Sequence, residues 1–206
     1  MLRRSKDLRK FDKDVYSRVN AGRVRAIAFA LIGDERQLQQ ECQWLEDACF
    51  FNREITVPEL PAHRGWILLR HGEPTAGLRM IFTGVRAIRD QDGGLFLPYW
   101  LATLAQACLE AKRPARALGV VKLALHGAEA IDQRGFVSEL WRIRALALAG
   151  LGAEPVAVDG ALSHAADLAR ECGAEGLLRR IILDRRAAPA PHAVRRPRTP
   201  SERARA

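Results

Sequence analysis

Aromatic residues are scarce in this sequence, although hydrophobic residues are not. Phe, Trp and Tyr make up 6% of the 206 residues, whereas hydrophobic residues make up 48%. Alanine, leucine and arginine are abundant instead, which favours helices over β-sandwiches, where β-branched and aromatic residues dominate. No apolar run approaches the ~18 residues of a membrane span, and the N-terminus lacks the apolar core of a signal peptide. We therefore expect an all-α, soluble, cytoplasmic chain.

The sequence also lacks the motifs of common enzyme and metal sites. It contains no phosphate-binding Gly-x-x-x-x-Gly-Lys-Ser/Thr loop, no His-Glu-x-x-His and no Gly-x-Ser-x-Gly. Its five histidines never lie three or four residues apart, which excludes a metal site built from one helix. Its four cysteines show no paired spacing, so we expect free thiols in a reducing compartment. These observations predict no catalytic residue, no cofactor and no metal ion.

The formal charge of +9 lies at the two ends of the chain. Residues 1–14 carry six basic and three acidic side chains, and residues 185–206 carry seven arginines and one glutamate. Residues 15–184 are left with 20 basic and 20 acidic groups and are neutral. Residues 187–206 contain four prolines and no large apolar residue except Val194, so we predict a disordered tail. Without aromatic residues for base stacking, its arginines predict only non-specific, salt-sensitive contact with nucleic acid.

A repeat of about 40 residues organises the region 15–186. Helical patterns are interrupted at Gly33, Gly72, Lys112 and Gly152, at spacings of 39, 40 and 40 residues. A fixed period of this size is typical of stacked helix–turn–helix units. We therefore predict a charged segment over 1–14, four stacked helical hairpins and a short last helix over 15–186, and the tail over 187–206.

Small residues recur at fixed distances from these breaks, where two helices of a hairpin would need them to approach closely. Seven positions before the break lie Ala26, Gly65, Ala105 and Ala145. Five positions after it lie Gly77, Ala117 and Ala157, and twelve after it Gly84 and Ala124. In the first unit, the positions five and twelve residues after the break are occupied by Leu38 and Leu45. In the last unit, the small positions match the pattern only after a shift of one residue. Such atypical end units are common in repeat arrays.

The break spacing resembles that of tetratricopeptide repeats with a few extra residues per unit. The stretch GLFLPYWLATLAQACLEAKRPARAL, followed by FVSELWRIRALALAGLG, is similar to the C-terminal helical region of large bacterial signalling proteins. Those proteins join an adenylate/guanylate cyclase or winged-helix DNA-binding domain to an ATPase module and such a repeat region. The resemblance covers about residues 20–185 and implies a right-handed α-solenoid that acts as a scaffold and sensor. The chain would then be a stand-alone paralogue or a remnant of a longer gene, and the departure of the tail from the family pattern favours truncation.

The tetratricopeptide pattern places the first helix of each pair on the concave, partner-binding face. The side chains predicted to form this partner-binding groove are Trp66, Arg70, Tyr99, Gln106, Glu139 and Arg142. The same counting adds Glu59, Ala62, Leu69, Ala102, Glu110 and Leu146. Trp, Tyr and Arg are enriched at binding hot spots. Two alternatives stay open, since Trp66 and Tyr99 also suit the core between repeats, and Arg70 and Arg142 also suit solvated helix faces.

The function predicted from these patterns is protein–protein interaction or regulatory scaffolding in bacterial signalling, without intrinsic catalysis. A protein or peptide would bind in the concave groove. The alternatives are a non-catalytic remnant or subunit of a cyclase- or ATPase-type regulator, a nucleic-acid accessory acting through the tail, and a gene fragment without function.

Overall fold

The computed structural model describes residues 15–91, 96–130 and 134–187. These parts of the chain form helices and contain no strand. The helices are α1 (Val15–Ile32), α2 (Glu35–Phe51), α3 (Leu60–Arg70), α4 (Pro74–Asp90), α5 (Leu97–Glu110), α6 (Pro114–Ala130), α7 (Arg134–Gly150), α8 (Pro155–Glu171) and α9 (Glu175–Ala187). The predicted all-α fold is confirmed.

The helices stack as a solenoid of hairpins. Consecutive helices pair as α1–α2, α3–α4, α5–α6 and α7–α8. Each odd-numbered helix also contacts the next odd-numbered helix, from α1 through α3, α5 and α7 to α9. The odd-numbered helices therefore form one continuous layer, and the predicted α-solenoid of four hairpins with a last short helix is confirmed.

The four predicted breaks adopt the same left-handed backbone conformation. The φ angles are 78° at Gly33, 79° at Gly72, 58° at Lys112 and 72° at Gly152. At each break, the N–H of the break residue donates to the carbonyl three residues before it, and the N–H of the following residue donates to the carbonyl five residues before that residue. At Lys112 these hydrogen bonds measure 2.9 and 2.8 Å. This is the Schellman motif, which ends a helix by satisfying its last carbonyls.

The small residues lie where the two helices of a hairpin meet. Ala26, Ala105 and Ala145, seven positions before their breaks, are each fully buried. In the last unit, Ala157 is exposed and Val158 is buried instead, because the connection from Gly152 to Pro155 is one residue longer. The predicted shift of one residue is confirmed.

The ends of the array differ slightly from the sequence-based boundaries. The last helix runs to Ala187, one residue beyond the predicted limit of 186. The predicted charged segment 1–14 and the rest of the predicted disordered tail, 188–206, lie outside the described residues. Within the described residues, no helix is both long enough and apolar enough to cross a membrane.

Candidate binding groove

A groove of about 310 Å³ runs along the layer of odd-numbered helices, and we call it the inner groove. Helices α1, α3, α5, α7 and α9 all contribute side chains to it. Its predicted members are Trp66, Arg70, Tyr99, Gln106 and Glu139. The structure thus places five of the six predicted groove residues on one surface, although they come from three helices and span more than 70 residues of sequence.

The two predicted aromatic residues differ in how much of each is accessible. Tyr99 is only 6% exposed and packs edge-on against Trp100, with ring centroids 4.8 Å apart. Its ring also contacts Phe136 at a tilt, with centroids 5.6 Å apart. Burial raises the pKa of Tyr99 to about 12, against the opposing effect of the Thr103 hydroxyl. Tyr99 therefore belongs largely to the core between repeats and offers the groove only part of its surface.

Trp66 is the more accessible aromatic residue. It is half-buried, and the guanidinium of Arg70 lies 5.7 Å from its ring centroid, one helical turn further along α3. A cation at this distance from an indole face is attracted by the electrons of the ring. Because Arg70 is itself exposed, the pair offers a partner both an apolar surface and a positive charge.

Arg142 lies beneath the groove, not on its surface. It is 6% exposed, which contradicts the interpretation of this residue as part of a solvated helix face. Its Nε donates to Glu139 at 2.8 Å, and its Nη1 donates to Asp184 at 2.6 Å. Its Nη2 donates to both Gln106, at 3.1 Å, and Glu139, at 3.0 Å. Arg142 thus joins α5, α7 and α9 and fixes two predicted groove residues, Gln106 and Glu139.

The electrostatic balance at Arg142 favours its charged form. Burial by itself lowers the pKa of the guanidinium, but the hydrogen bonds and charges of Glu139 and Asp184 outweigh burial and raise it. A buried arginine with most of its N–H groups occupied has little left to offer a partner. We therefore correct its predicted role from partner contact to positioning.

Three residues of the wider concave set lie away from the inner groove. Glu59 is 3% exposed, and one of its carboxylate oxygens accepts a hydrogen bond of 2.9 Å from Nε of Arg23 on α1. Ala62 is fully buried, and a Cβ atom added at Gly84 would lie 2.7 Å from the Cβ of Ala62. Leu146 is half-buried, and none of the three lines the inner groove. Leu69, Ala102 and Glu110 do line it.

Several groove residues were missed by sequence reasoning. They are Ala30, Leu31, Thr103, Phe136, Ala174, Leu177 and Arg180. The repeat contained a signal for Leu31, which lies two residues before its break as Arg70 and Glu110 do. Leu177 and Arg180 carried no such signal, because no further break follows α9 to set a register.

The inner groove presents charged and hydrogen-bonding side chains beside its apolar ones. Besides Tyr99, its polar side chains in the described parts of the chain are Arg70, Thr103, Gln106, Glu110, Glu139 and Arg180. That set contains carboxylates, an amide, a hydroxyl and guanidinium groups, and it has no thiol or imidazole. Over all described residues, no three His, Cys, Asp or Glu side chains converge to hold a metal ion. Comparison of the chain with models of protein families, with curated proteins and with solved structures found no match in any of the three.

Proposed function

We propose that this chain is a non-catalytic scaffold that binds a peptide or a helix of a protein partner in the inner groove. The observation that carries the proposal is the lining of one groove by side chains from all five odd-numbered helices. A repeat array usually binds its partner on such a continuous surface. The resemblance to signalling repeat regions suggests a cytoplasmic regulatory setting, and this setting is part of the proposal.

The lining indicates which kind of segment would bind. Trp66, Phe136 and Leu177 offer an apolar surface that suits apolar side chains of a partner. Arg70 and Arg180 supply positive charge, whereas Glu110 and Glu139 supply negative charge. Charged groups around an apolar centre give specificity and orientation more than affinity. We therefore propose an amphipathic segment that carries both charge signs beside its apolar residues.

The groove is held in shape before a partner arrives. Arg142 fixes Gln106 and Glu139 through hydrogen bonds of 2.8 to 3.1 Å, and Tyr99 is packed between Trp100 and Phe136. Side chains that are already ordered lose little conformational entropy on binding. This preorganisation supports binding by a surface formed in advance.

The test is a peptide-display selection against the purified full chain, followed by affinity measurement on variants. Trp66→Ala should weaken binding of the selected peptides by at least about 30-fold, as expected for a hot-spot residue. Arg70→Ala should weaken it by about tenfold, because it removes the charge beside the indole.

The matched controls are Leu123→Ala and Arg86→Ala, two exposed residues of α6 and α4 that do not line the inner groove. Both controls should bind the selected peptides as the wild type does. The proposal is wrong if no selected peptide depends on Trp66, or if the control variants weaken binding as much as the groove variants.

A further inference from the structure

A second cavity, of about 510 Å³, lies between α4, α5 and α6, and we call it the outer groove. Its α5 members, Leu104 and Cys108, come two positions after Ala102 and Gln106 of the inner groove. Two positions correspond to a rotation of about 200° around a helix. The outer groove therefore lies on the opposite face of α5 from the proposed partner-binding surface.

The walls of the outer groove are apolar and partly open to solvent. Leu78 and Leu104 are buried, whereas Phe82 of α4 is 57% exposed although it is a large apolar side chain. Val120 of α6 completes the apolar surface. An exposed phenylalanine beside a concave surface is unfavourable in water, and it becomes favourable when an apolar group covers it.

Three arginines line the same groove, and no acidic residue of the described chain lines it. They are Arg79 of α4, Arg113 just before α6 and Arg116 in the first turn of α6. In the parts of the chain that the structure describes, none of these three guanidinium groups has a hydrogen bond or an ion pair. Since residues 15–184 are neutral as a whole, three unpaired positive charges at one cavity are a local feature and not a consequence of a basic body.

Two of these arginines, Arg113 and Arg116, line the groove together with the thiol of Cys108. The thiol of Cys108 is 3% exposed, and burial raises its pKa. The charges of Arg116 and Arg113 act in the opposite direction and lower it. The positive groups and the apolar floor therefore belong to one site.

We propose that the outer groove binds a small amphiphilic carboxylate of the fatty-acid class. Arg113 and Arg116, assisted by Arg79, bind the carboxylate, and the hydrocarbon chain lies over Leu78, Phe82 and Leu104. Guanidinium groups bind carboxylates with paired, charge-assisted hydrogen bonds. The volume lies within the range of about 300 to 1,000 Å³ that is usual for small-molecule sites. The ligand would thus satisfy both unpartnered features of the groove, its charge and its exposed apolar wall.

Calorimetric titration of the full chain with decanoate tests this proposal. We expect one decanoate per chain in the wild type and binding at least about tenfold weaker in Arg113→Gln/Arg116→Gln, because the charge-assisted hydrogen bonds are lost. The charge-matched control is Arg86→Gln/Lys122→Gln, which removes two positive charges from exposed positions of α4 and α6 outside the groove. This control should bind decanoate as the wild type does.

Alkylation of cysteines by iodoacetamide, followed by peptide mapping, locates the bound decanoate. Decanoate should slow the modification of Cys108, at the floor of the groove, several-fold and leave that of the exposed Cys172 unchanged. Trp66→Ala should keep full decanoate binding, so that this proposal and that for the inner groove fail independently.

Three results would overturn the proposal. The first is that decyl maltoside, which has the hydrocarbon chain without the carboxylate charge, binds as well as decanoate. The second is decanoate binding that is unchanged in Arg113→Gln/Arg116→Gln. The third is an absence of decanoate binding. If an acidic amphipathic peptide then binds, and its binding depends on Arg113 and Arg116, the groove binds a protein instead.

Discussion

Gly65 of α3 and Gly77 of α4 lie so close together that a Cβ atom added to either would stand 2.6 Å from the carbonyl oxygen of the other. A similar contact follows along the same hairpin, where a Cβ on Gly84 would lie 2.6 Å from the backbone nitrogen of Ala62. Real Cβ atoms do not approach backbone atoms so closely, so the two helices meet backbone to backbone. Glycine is required at these positions by packing and not by the backbone conformation.

Gly65→Ala should therefore destabilise the protein. The added methyl group must push α3 and α4 apart, and overpacking of this kind costs about 1 to 3 kcal/mol. Urea unfolding followed by circular dichroism measures the difference in the free energy of unfolding. The control is Gly160→Ala in α8, where the described chain has no atom within 4 Å of the added Cβ. There the better helix propensity of alanine should stabilise by about 0.5 to 1 kcal/mol. Equal effects of the two substitutions would contradict the close contact.

Lys112 adopts the left-handed backbone conformation that glycine adopts at the other three repeat breaks. Its φ of 58° makes it the only non-glycine residue of the described chain with a positive φ. A side chain in this conformation costs about 1 to 2 kcal/mol, whereas glycine adds about 0.5 to 1 kcal/mol of unfolded-chain entropy. We therefore expect Lys112→Gly to raise the free energy of unfolding by about 0.5 to 1 kcal/mol.

The reciprocal substitution provides the control for this prediction. Gly152 has a φ of 72° and an exposed position with no atom of the described chain near its Cβ site. Gly152→Lys should destabilise by about the amount that Lys112→Gly stabilises, because only the backbone conformation is at issue. Thermal unfolding of both variants measures the two changes in stability. Two changes of the same sign would show that side-chain contacts decide the effect at one of these breaks.

The repeat period was sufficient to predict the fold, because helix ends obey local rules. The four breaks and the small residues follow from the Schellman motif and from the volume between two helices, both of which a single sequence shows. A shift of one residue at Ala157 was readable for the same reason, since the connection before Pro155 has an extra residue.

The groove was only partly predictable, because burial depends on contacts between distant elements. The repeat register put Arg142 on the concave face, but its burial depends on Asp184, 42 residues away on α9. Glu59 likewise packs against Arg23, 36 residues earlier. The outer groove gave no signal in sequence, since Arg79 and Arg113 belong to different repeat units and meet only when α4 and α6 stack on α5.

Removing Arg142 should loosen the end of the solenoid. Arg142→Gln leaves Glu139 and Asp184 without their main partner in a largely buried site. Breaking a buried pair from one side costs about 3 to 5 kcal/mol, and the partial exposure of both carboxylates reduces this to about 2 to 4 kcal/mol. Urea unfolding measures the loss. Hydrogen exchange should show that Arg142→Gln speeds the opening of α9, relative to the wild type, more than it speeds the opening of α3.

The control for Arg142 is an arginine in an exposed pair. Arg170 bonds Asp167 at 2.6 Å, with more than half of each side chain exposed. Surface pairs of this kind contribute about 0 to 1 kcal/mol. Arg170→Gln should therefore change stability little. A similar loss in both variants would contradict the positioning role of Arg142.

Burial of His63 should make the protein less stable in mild acid. The imidazole is 1% exposed and packs edge-on against Trp100, with ring centroids 4.7 Å apart. Among the described residues its Nδ1 has no hydrogen-bond partner, and burial lowers the pKa of His63 to about 3. The unfolded chain binds this proton near pH 6.5, so between about pH 6.5 and 3 the unfolded state holds one more proton than the folded state.

The contribution of His63 to stability is thus complete above pH 6.5 and is lost as the pH falls toward 3. Between pH 6.5 and 5, the free energy of unfolding of the wild type should fall by about 1.5 kcal/mol more than that of His63→Leu, because the unfolded wild-type chain takes up the proton. Urea unfolding at both pH values gives this difference in slope, which does not depend on how much the substitution changes stability at neutral pH. Leu123→Ala, an exposed and uncharged position of α6, should keep the wild-type slope. Identical slopes for the wild type and His63→Leu would mean that the buried imidazole takes up its proton without unfolding, through a local opening between α3 and α5.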